Sequence, residues 1–339
     1  MLAIVILNYN GAAMLERYLP LVTAHSPHAD IIVADNASSD DSLDMLRREF
    51  PSVRIITFDR NWGFAGGYNH AFDILKEEGK YDDYLLLNSD VEVTPHWLVP
   101  LREYMDAHPE VAACQPKIRS ARRRGDFEYA GACGGFIDFY GYPFCRGRVM
   151  GTVEKDEKQY EDVIPVMWAT GACLYIRAKD WHEAGGLDAE FFAHQEEIDL
   201  CWRLRSRGRG VVCVPQSMIY HVGGGTLPKN NPKKTMLNFR NNLLMLYKNL
   251  PEEDLQKVMK VRRYLDALAA LKELLTGHFK DYQAIRRARK EFKQKMKTYE
   301  AIRKENLAKQ VVKTIPERKN FSLLIHYYIF QNHKFSQLP

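Results

Sequence analysis

Over residues 1–93, short unbroken apolar runs alternate with stretches of helical period. Ala3–Leu7, Ile31–Ala34 and Tyr84–Leu87 have the length and density of strands buried on both faces. Between the runs, residues 13–21, 40–49 and 67–77 space their apolar positions as helices do. This βαβ rhythm predicts an α/β fold with a largely parallel, Rossmann-like central sheet flanked by helices. The second helix has a readable start. Asn36, Ser38 and Asp40 can cap it, and Asp40 and Asp41 suit the positive end of its dipole.

Each of the three apolar runs stops abruptly in polar residues. The first meets Asn8-Tyr9-Asn10-Gly11, the second Asp35-Asn36 and the third Asn88-Ser89-Asp90. The carboxyl edge of an open α/β sheet is where ligands bind, so three such endings predict a site there.

The middle of the chain is less regular. Residues 95–108 read as a helix, 114–118 as a strand, 166–176 as a strand around Thr170-Gly171-Ala172, 196–207 as a helix and 210–214 as a strand. Residues 120–158 are rich in Gly, Arg and aromatics without a period, the mark of a functional lid or a disordered loop. The aromatic content argues against disorder. After Pro232 the pattern turns helical and basic: 235–249, 264–275 and 281–309 read as helices. The apolar patch Phe321–Phe330 suits a docking strand or an interfacial anchor. The expected division is therefore a catalytic body over 1–235 and a helical, basic region over 236–339.

Composition narrows the setting. A hydrophobic fraction of 46% is ordinary for a globular protein, and no run of apolar residues is long enough to span a bilayer. The Leu2–Leu7 run is too short for the core of a secretory signal. The six cysteines are scattered without a C-x-x-C pair, which predicts buried thiols in a reducing compartment and a cytoplasmic protein. The net charge of +5 hides an imbalance, about −7 over 1–235 against about +12 over 236–339. Because the basic residues accompany apolar helical stripes, the anionic partner expected for this region is a membrane surface, not nucleic acid. A peripheral position at the inner face of the plasma membrane follows from that reading.

Three clusters carry candidate chemistry. Residues 61–69, with Asn61, Gly63, Gly66 and Asn69, read as a glycine-rich turn that opens a helix, whose free N–H groups could face an anion. Asp90 stands where a divalent ion bridging two phosphates needs a carboxylate, and His221, at the end of a strand before a glycine run, is the best second ligand. A mixed oxygen and imidazole shell with phosphate oxygens suits Mn²⁺ or Mg²⁺. Glu196, Glu197 and Asp199 form an acidic first helical turn between Phe191-Phe192 and Leu200-Cys201-Trp202. Partial burial there would raise a carboxyl toward the range of a general base.

Taken in order, Ile6 to Gly11, Val33 to Asp40, Asn61 to Asn69, Leu87 to Asp90, Thr170 to Ala172, Gly185 through Arg203 and His221 resemble the family 2 glycosyltransferases of the GT-A fold. The bacterial rhamnosyltransferase-like branch is the nearest in pattern, and the resemblance spans about residues 1–245. It implies an inverting transfer from a nucleoside-diphosphate sugar, UDP or dTDP being expected, to a glycan or lipid-linked acceptor in cell-surface polysaccharide synthesis. It further implies that Asn8, Asn10, Asp35 and Asn88 line the nucleotide pocket, that Asp90 and His221 hold the metal, and that Glu197 acts as base with Glu196 or Asp199 in support. Trp168 and Thr170, with Phe136, Phe139, Tyr140 and Tyr142, are candidates for the acceptor side. Two positions depart from the family pattern: Asn88 opens the family's D-x-D element, and Glu197 stands where Asp is usual. Rival readings are a nucleotidyltransferase, which would carry a basic glycine-rich first loop that Asn8-Tyr9-Asn10-Gly11 lacks, and a silent nucleotide-sugar-binding scaffold at the membrane.

Overall fold

The computed structural model describes residues 1–223 and 231–339. Its elements in chain order begin β1 (Leu2–Asn8), α1 (Ala12–His25), β2 (Ala29–Asp35), α2 (Ser42–Glu49), β3 (Arg54–Thr57), α3 (Gly63–Glu77), β4 (Asp83–Asn88), β5 (Val91–Val93) and α4 (Leu98–Ala107). Parallel pairing sets Ile4 of β1 opposite both Ile31 of β2 and Leu85 of β4. Alternation does the rest. Leu2, Ile4 and Ile6 join Leu15, Leu19 and Trp97 in one buried layer, while Ala3 and Val5 join Phe72, Tyr84 and Trp181 in the other. The same register places Asn8 opposite Asp35 and Leu7 opposite Asn88, so the polar strand ends arrive side by side.

The chain continues through β6 (Val111–Ser120), β7 (Gly135–Ile137), β8 (Pro143–Cys145), β9 (Arg148–Val149), β10 (Thr152–Val153), β11 (Ile164–Pro165), β12 (Cys173–Arg177), α5 (Ala178–Ala184), α6 (Glu196–Ser206) and β13 (Gly210–His221). The main sheet runs β11-β13-β6-β12-β4-β1-β2-β3, with β5 paired to β13. It is mixed where a largely parallel sheet was expected. Only β3-β2-β1-β4 and β6-β13 are parallel, because β12 lies antiparallel between β4 and β6. The aperiodic 120–158 segment is neither lid nor disordered loop. It builds a second, small sheet in the order β10-β9-β8-β7.

Of the candidates for the acceptor side, Phe136, Trp168 and Thr170 are buried, while Phe139, Tyr140 and Tyr142 are half-buried. Phe136 is buried against Phe144, and Trp168 is buried across Gly135 with its indole N–H donated to the Phe136 carbonyl at 3.0 Å. Phe139 lies against Arg318 and Tyr142 against Arg262. Thr170 is buried as well, its amide donating to Gln115 Oε1 and its methyl covering Gly131.

The C-terminal region holds α7 (Pro232–Asn249), α8 (Glu252–Leu275), α9 (Phe279–Ala308) and α10 (Leu323–Tyr328). The division expected at residue 235 falls inside α7, whose Leu243 to Leu246 belong to the main core. Arg262 of α8 is buried, held by Asp266 and the Tyr140 carbonyl. The Phe321–Phe330 patch is mostly a short helix, not a strand. It docks through buried Leu323, whose amide reaches Asp138, and through Tyr327, which bonds Thr152. Phe335 then settles among Phe136, Phe144 and Tyr160 with ring centroids 5.1–6.1 Å away. All six cysteines are free and buried, and among the described residues no helix is long and apolar enough to cross a membrane.

Because its ring completes an aromatic cluster, Phe335→Ala is expected to cost about 1–3 kcal/mol of unfolding free energy in a urea titration. An unchanged midpoint would mean that the last residues do not pack on the body.

Candidate active site

The ends of β1 and β2 are locked into one network. Asn8 donates to Asp35 at 2.9 Å and to Ser38 at 3.1 Å, and the Ser38 amide donates to the other oxygen of Asp35. Asn10 accepts from the Ser39 amide at 2.7 Å. Asn10 and Ala37 sit at φ 52° and 62°, a conformation that costs energy outside glycine and that this network enforces. Both Asn8 and Asp35 are buried. Asn8 Oδ1 is the loose end, a buried acceptor without a partner among the described residues.

The 61–69 segment differs from its expected role. Helix α3 begins at Gly63, so Gly66 and Asn69 lie within the helix. Its first donors are already used: Trp62 N goes to Asn36, Gly63 N to Asn61, and Phe64 N and Ala65 N to the Phe192 carbonyl. A diphosphate therefore finds no free helix terminus here. Asn69 instead clamps Leu187, donating to its carbonyl and accepting from its amide. Gly63 is required at its place, because φ is +73° and a Cβ would stand 2.5 Å from the Phe192 ring.

Beside this network, the end of β4 meets the end of β13. His221 Nε2 lies 3.1 Å from Asp90 Oδ1 and 3.3 Å from Asn88 Nδ2, and Gly223 N donates to Asp90 Oδ2. Burial opposes a charge on His221, but Asp90 and Glu128 on either side of the ring outweigh it and push the imidazole up to about 10. Burial also opposes ionisation of Asp90, yet contact with His221 and the Gly223 amide holds its carboxyl below the usual value. Glu128, buried in the aperiodic segment, places an oxygen 3.6 Å from His221 Nδ1. No local sequence signal marks it, since its partner is distant in the chain. Gly224 and Gly225 of the expected glycine run lie outside the described residues.

Among the described residues no three His, Cys, Asp or Glu side chains converge as a metal cluster. Asp90 and His221 nevertheless fit a divalent cation in kind, one carboxylate and one imidazole with the Asn88 carboxamide beside them. Further oxygens would have to come from a phosphate ligand.

Glu196 and Glu197 enter from a strained loop. Phe192, His194 and Gln195 all have φ between 63° and 74°, three non-glycine residues in four positions. Helix α7 holds that loop. Asn241 donates to the carbonyls of Phe191, Ala193 and His194 at 2.8–2.9 Å, Arg240 reaches the Glu190 carbonyl, and Asn242 reaches Gln195. The sequence reading missed these three. The available signal was a polar Arg-Asn-Asn triplet between apolar residues of one helix.

The loop delivers two carboxyls whose Oε2 atoms are buried without partners among the described residues. Burial, compounded by Glu197 as neighbour, raises Glu196 well above its ordinary value, and burial pushes Glu197 up to about 7. Glu197 abuts Gly171, and Ala172 accepts from Asn88 N, so this acid borders the end of β4. Burial likewise leaves the adjacent His194 neutral down to about 4. Asp199 does not join the pair. It is wholly buried, with Arg203 at 3.0 Å, Lys248 at 2.8 Å and Asn249 at 2.8 Å, and those cations overcome burial to hold it ionised. With both oxygens committed, it braces α6 against α7 and has no oxygen free to accept a proton.

Asp199→Asn leaves Arg203 and Lys248 short of a counter-charge in the core, a loss of about 3–5 kcal/mol in chemical denaturation. A variant as stable as the native chain would remove Asp199 from its bracing role.

Residues 3–149 match the sequence profile of Glycosyl transferase family 2. An N-acetylglucosaminyl-diphospho-decaprenol L-rhamnosyltransferase of Mycobacterium tuberculosis is 28% identical over 236 residues, covering 65% of this chain and 75% of its own. Among solved structures, GalNAc-T7 with UDP, GalNAc and Mn²⁺ superposes with a TM-score of 0.57 at 16% identity over 75% of this chain, which spans about half of that protein (48%). Staphylococcus aureus TarS 1–349 in complex with UDP gives 0.52 at 12% identity over 91% of this chain and 92% of its own. The profile identifies a family 2 glycosyl transferase domain over residues 3–149, and the GT-A architecture shared with these solved structures agrees with the polar edge of the sheet.

Proposed function

We propose that this enzyme moves a sugar, with inversion, from a nucleoside-diphosphate sugar to a hydroxyl of a glycan or lipid-linked acceptor in cell-surface polysaccharide synthesis. The observation that carries the reading is Glu197, half-buried at the rim of the strand ends, with its Oε2 buried and unpartnered among the described residues and its carboxyl raised to about 7. Such a group loses its proton near neutrality and can then take one from an acceptor hydroxyl. The acceptor oxygen forms its bond to the anomeric carbon as the bond from that carbon to the diphosphate breaks. The proton passes to Glu197 and the electron pair leaves on the phosphate oxygen.

Asp90 and His221 would hold a divalent ion, Mn²⁺ or Mg²⁺, with Asn88 alongside. When bound, such an ion supplies positive charge against the departing diphosphate. Asn8, Asn10, Asp35 and Asn61 shape the nucleotide end. The unpartnered Asn8 Oδ1 would accept from an N–H of the base, and UDP or dTDP is the nucleotide that the family resemblance leads us to expect. The mycobacterial relative is named for a lipid-linked acceptor, which supports an amphiphilic acceptor here. The basic 236–339 region would then meet an anionic membrane surface.

Glu197→Gln is expected to lower transfer by about 10²–10⁴-fold while nucleotide affinity stays within about twofold. Unchanged transfer would shift the role to Glu196. The rate of the native enzyme should rise through about pH 7 as Glu197 ionises. Stability has the opposite trend. A carboxyl raised in the folded state favours folding at low pH, and that contribution is lost as pH climbs from the ordinary carboxyl range through about 7. Glu197→Gln should therefore gain melting temperature relative to the native chain at pH 8 but not at pH 5, as read by thermal denaturation.

A further inference from the structure

Helix α8 is buried on one side only. Val258, Arg262, Asp266 and Ala270 face the body, with Arg289 of α9 reaching Asp266. On the opposite side, Tyr264, Leu268, Leu271 and Leu275 recur at i, i+4, i+7 and i+11 and so form one outward ridge. Tyr264 and Leu268 are each 62% exposed and Leu275 77%, with Leu274 and Phe279 exposed around the turn into α9. A contiguous apolar ridge of this kind marks an interaction surface.

Its place in the fold is informative. Asp281, two residues beyond Phe279, bonds Thr235, so the first turn of α9 lies beside the first turn of α7. Lys233 of that turn sits 4.4 Å over Phe192, the residue that caps α3 and precedes Glu196–Glu197. The hairpin turn thus stands on the side of the molecule where the catalytic carboxyls enter.

Charge selects the occupant. The exposed side chains of Lys260, Arg263 and Lys280 flank the ridge without an acidic partner among the described residues, whereas the nearby acids are already engaged. Asp266 faces Arg262 and Arg289, Glu273 faces Lys272 and His278, and Asp281 faces Thr235. A symmetric contact with the same hairpin of a second copy would set these cations against their own kind. A surface of anionic lipid headgroups over acyl chains matches both the cations and the leucines. We propose that the α8–α9 hairpin is the membrane-docking element of this enzyme, with the ridge entering the headgroup boundary beside the active site. The proposal deepens the lipid-linked acceptor reading above and rests on it for its purpose, though not for its physics.

The test uses the full chain in co-sedimentation with phosphatidylglycerol/phosphatidylethanolamine vesicles and with pure phosphatidylcholine vesicles. The native protein should bind the anionic vesicles and not the neutral ones. Leu268→Ser/Leu275→Ser, which leaves the charge unchanged, should bind at least about tenfold more weakly. Lys260→Gln/Arg263→Gln/Lys280→Gln should lose binding most clearly at low salt. Equal binding by the leucine variant, or no binding by the native chain, overturns the proposal. So does a native dimer, seen by analytical ultracentrifugation, that the leucine variant dissolves. Nucleotide titration of the same preparations separates the two readings. Vesicle binding without any nucleotide binding would sink the transferase reading and leave the docking surface standing.

Discussion

The carboxylate of Asp199 is fully buried, and the structure around Glu196 and Glu197 depends on how it is neutralised. Taking a charge out of water costs several kcal/mol unless partners surround it. Arg203 from its own helix and Lys248 and Asn249 from α7 meet that requirement, and Lys248 bridges on to Asp188. This cluster obliges α7 to lie against α6. Once α7 is there, Asn241 falls under the loop at 191–194 and satisfies three of its carbonyls with one amide. The loop can then keep the unfavourable backbone that points Glu196 and Glu197 inward. The helix that looks like an appendage in the sequence is thus part of the scaffold that holds Glu196 and Glu197 in place.

The opposite side of the site rests on a different constraint, the parallel register of β4, β1 and β2. Equal register carries Asn88, Asn8 and Asp35 to one edge, and hydrogen bonds among the polar residues then fix the loops that follow. The two halves meet where Ala172 accepts from Asn88 and Gly171 touches Glu197. Gly171 allows that approach, since a Cβ there would stand 3.0 Å from the Phe64 ring. The ends proposed for the nucleotide and for the proton acceptor are in this way built by separate physics, one by sheet register and one by a buried charge cluster.

Much of the first half was legible in the sequence, because a strand buried on both faces must be apolar and its abrupt polar end betrays the edge of the sheet. Asp90 and His221 were readable for the same reason, each being polar at the end of such a run. The direction of β12 was not, since Cys173–Ile176 is equally apolar read either way. Residues 61–69 looked like an anion-binding turn because glycine serves both turns and close packing. Gly67 is there for the second purpose, as a Cβ would lie 2.7 Å from Leu7. Asp199 looked like one of three clustered acids, but its helical phase turns it toward Lys248, and a spacing of 49 residues hides that partnership from any local pattern. Trp168 shows the same limit: an aromatic near a sugar site reads alike whether it lines the pocket or fills the core.

The central claim is that the strand edge bearing Asn8, Asp35, Asn88, Asp90 and His221 forms a metal-assisted site for a nucleoside diphosphate. Calorimetric titration of UDP, dTDP and GDP into the folded full-length chain, with Mn²⁺ and again with EDTA, tests it most directly. The account predicts that UDP or dTDP binds with Mn²⁺ and that EDTA abolishes most of the heat. Failure of all three nucleotides to bind in either condition would contradict it.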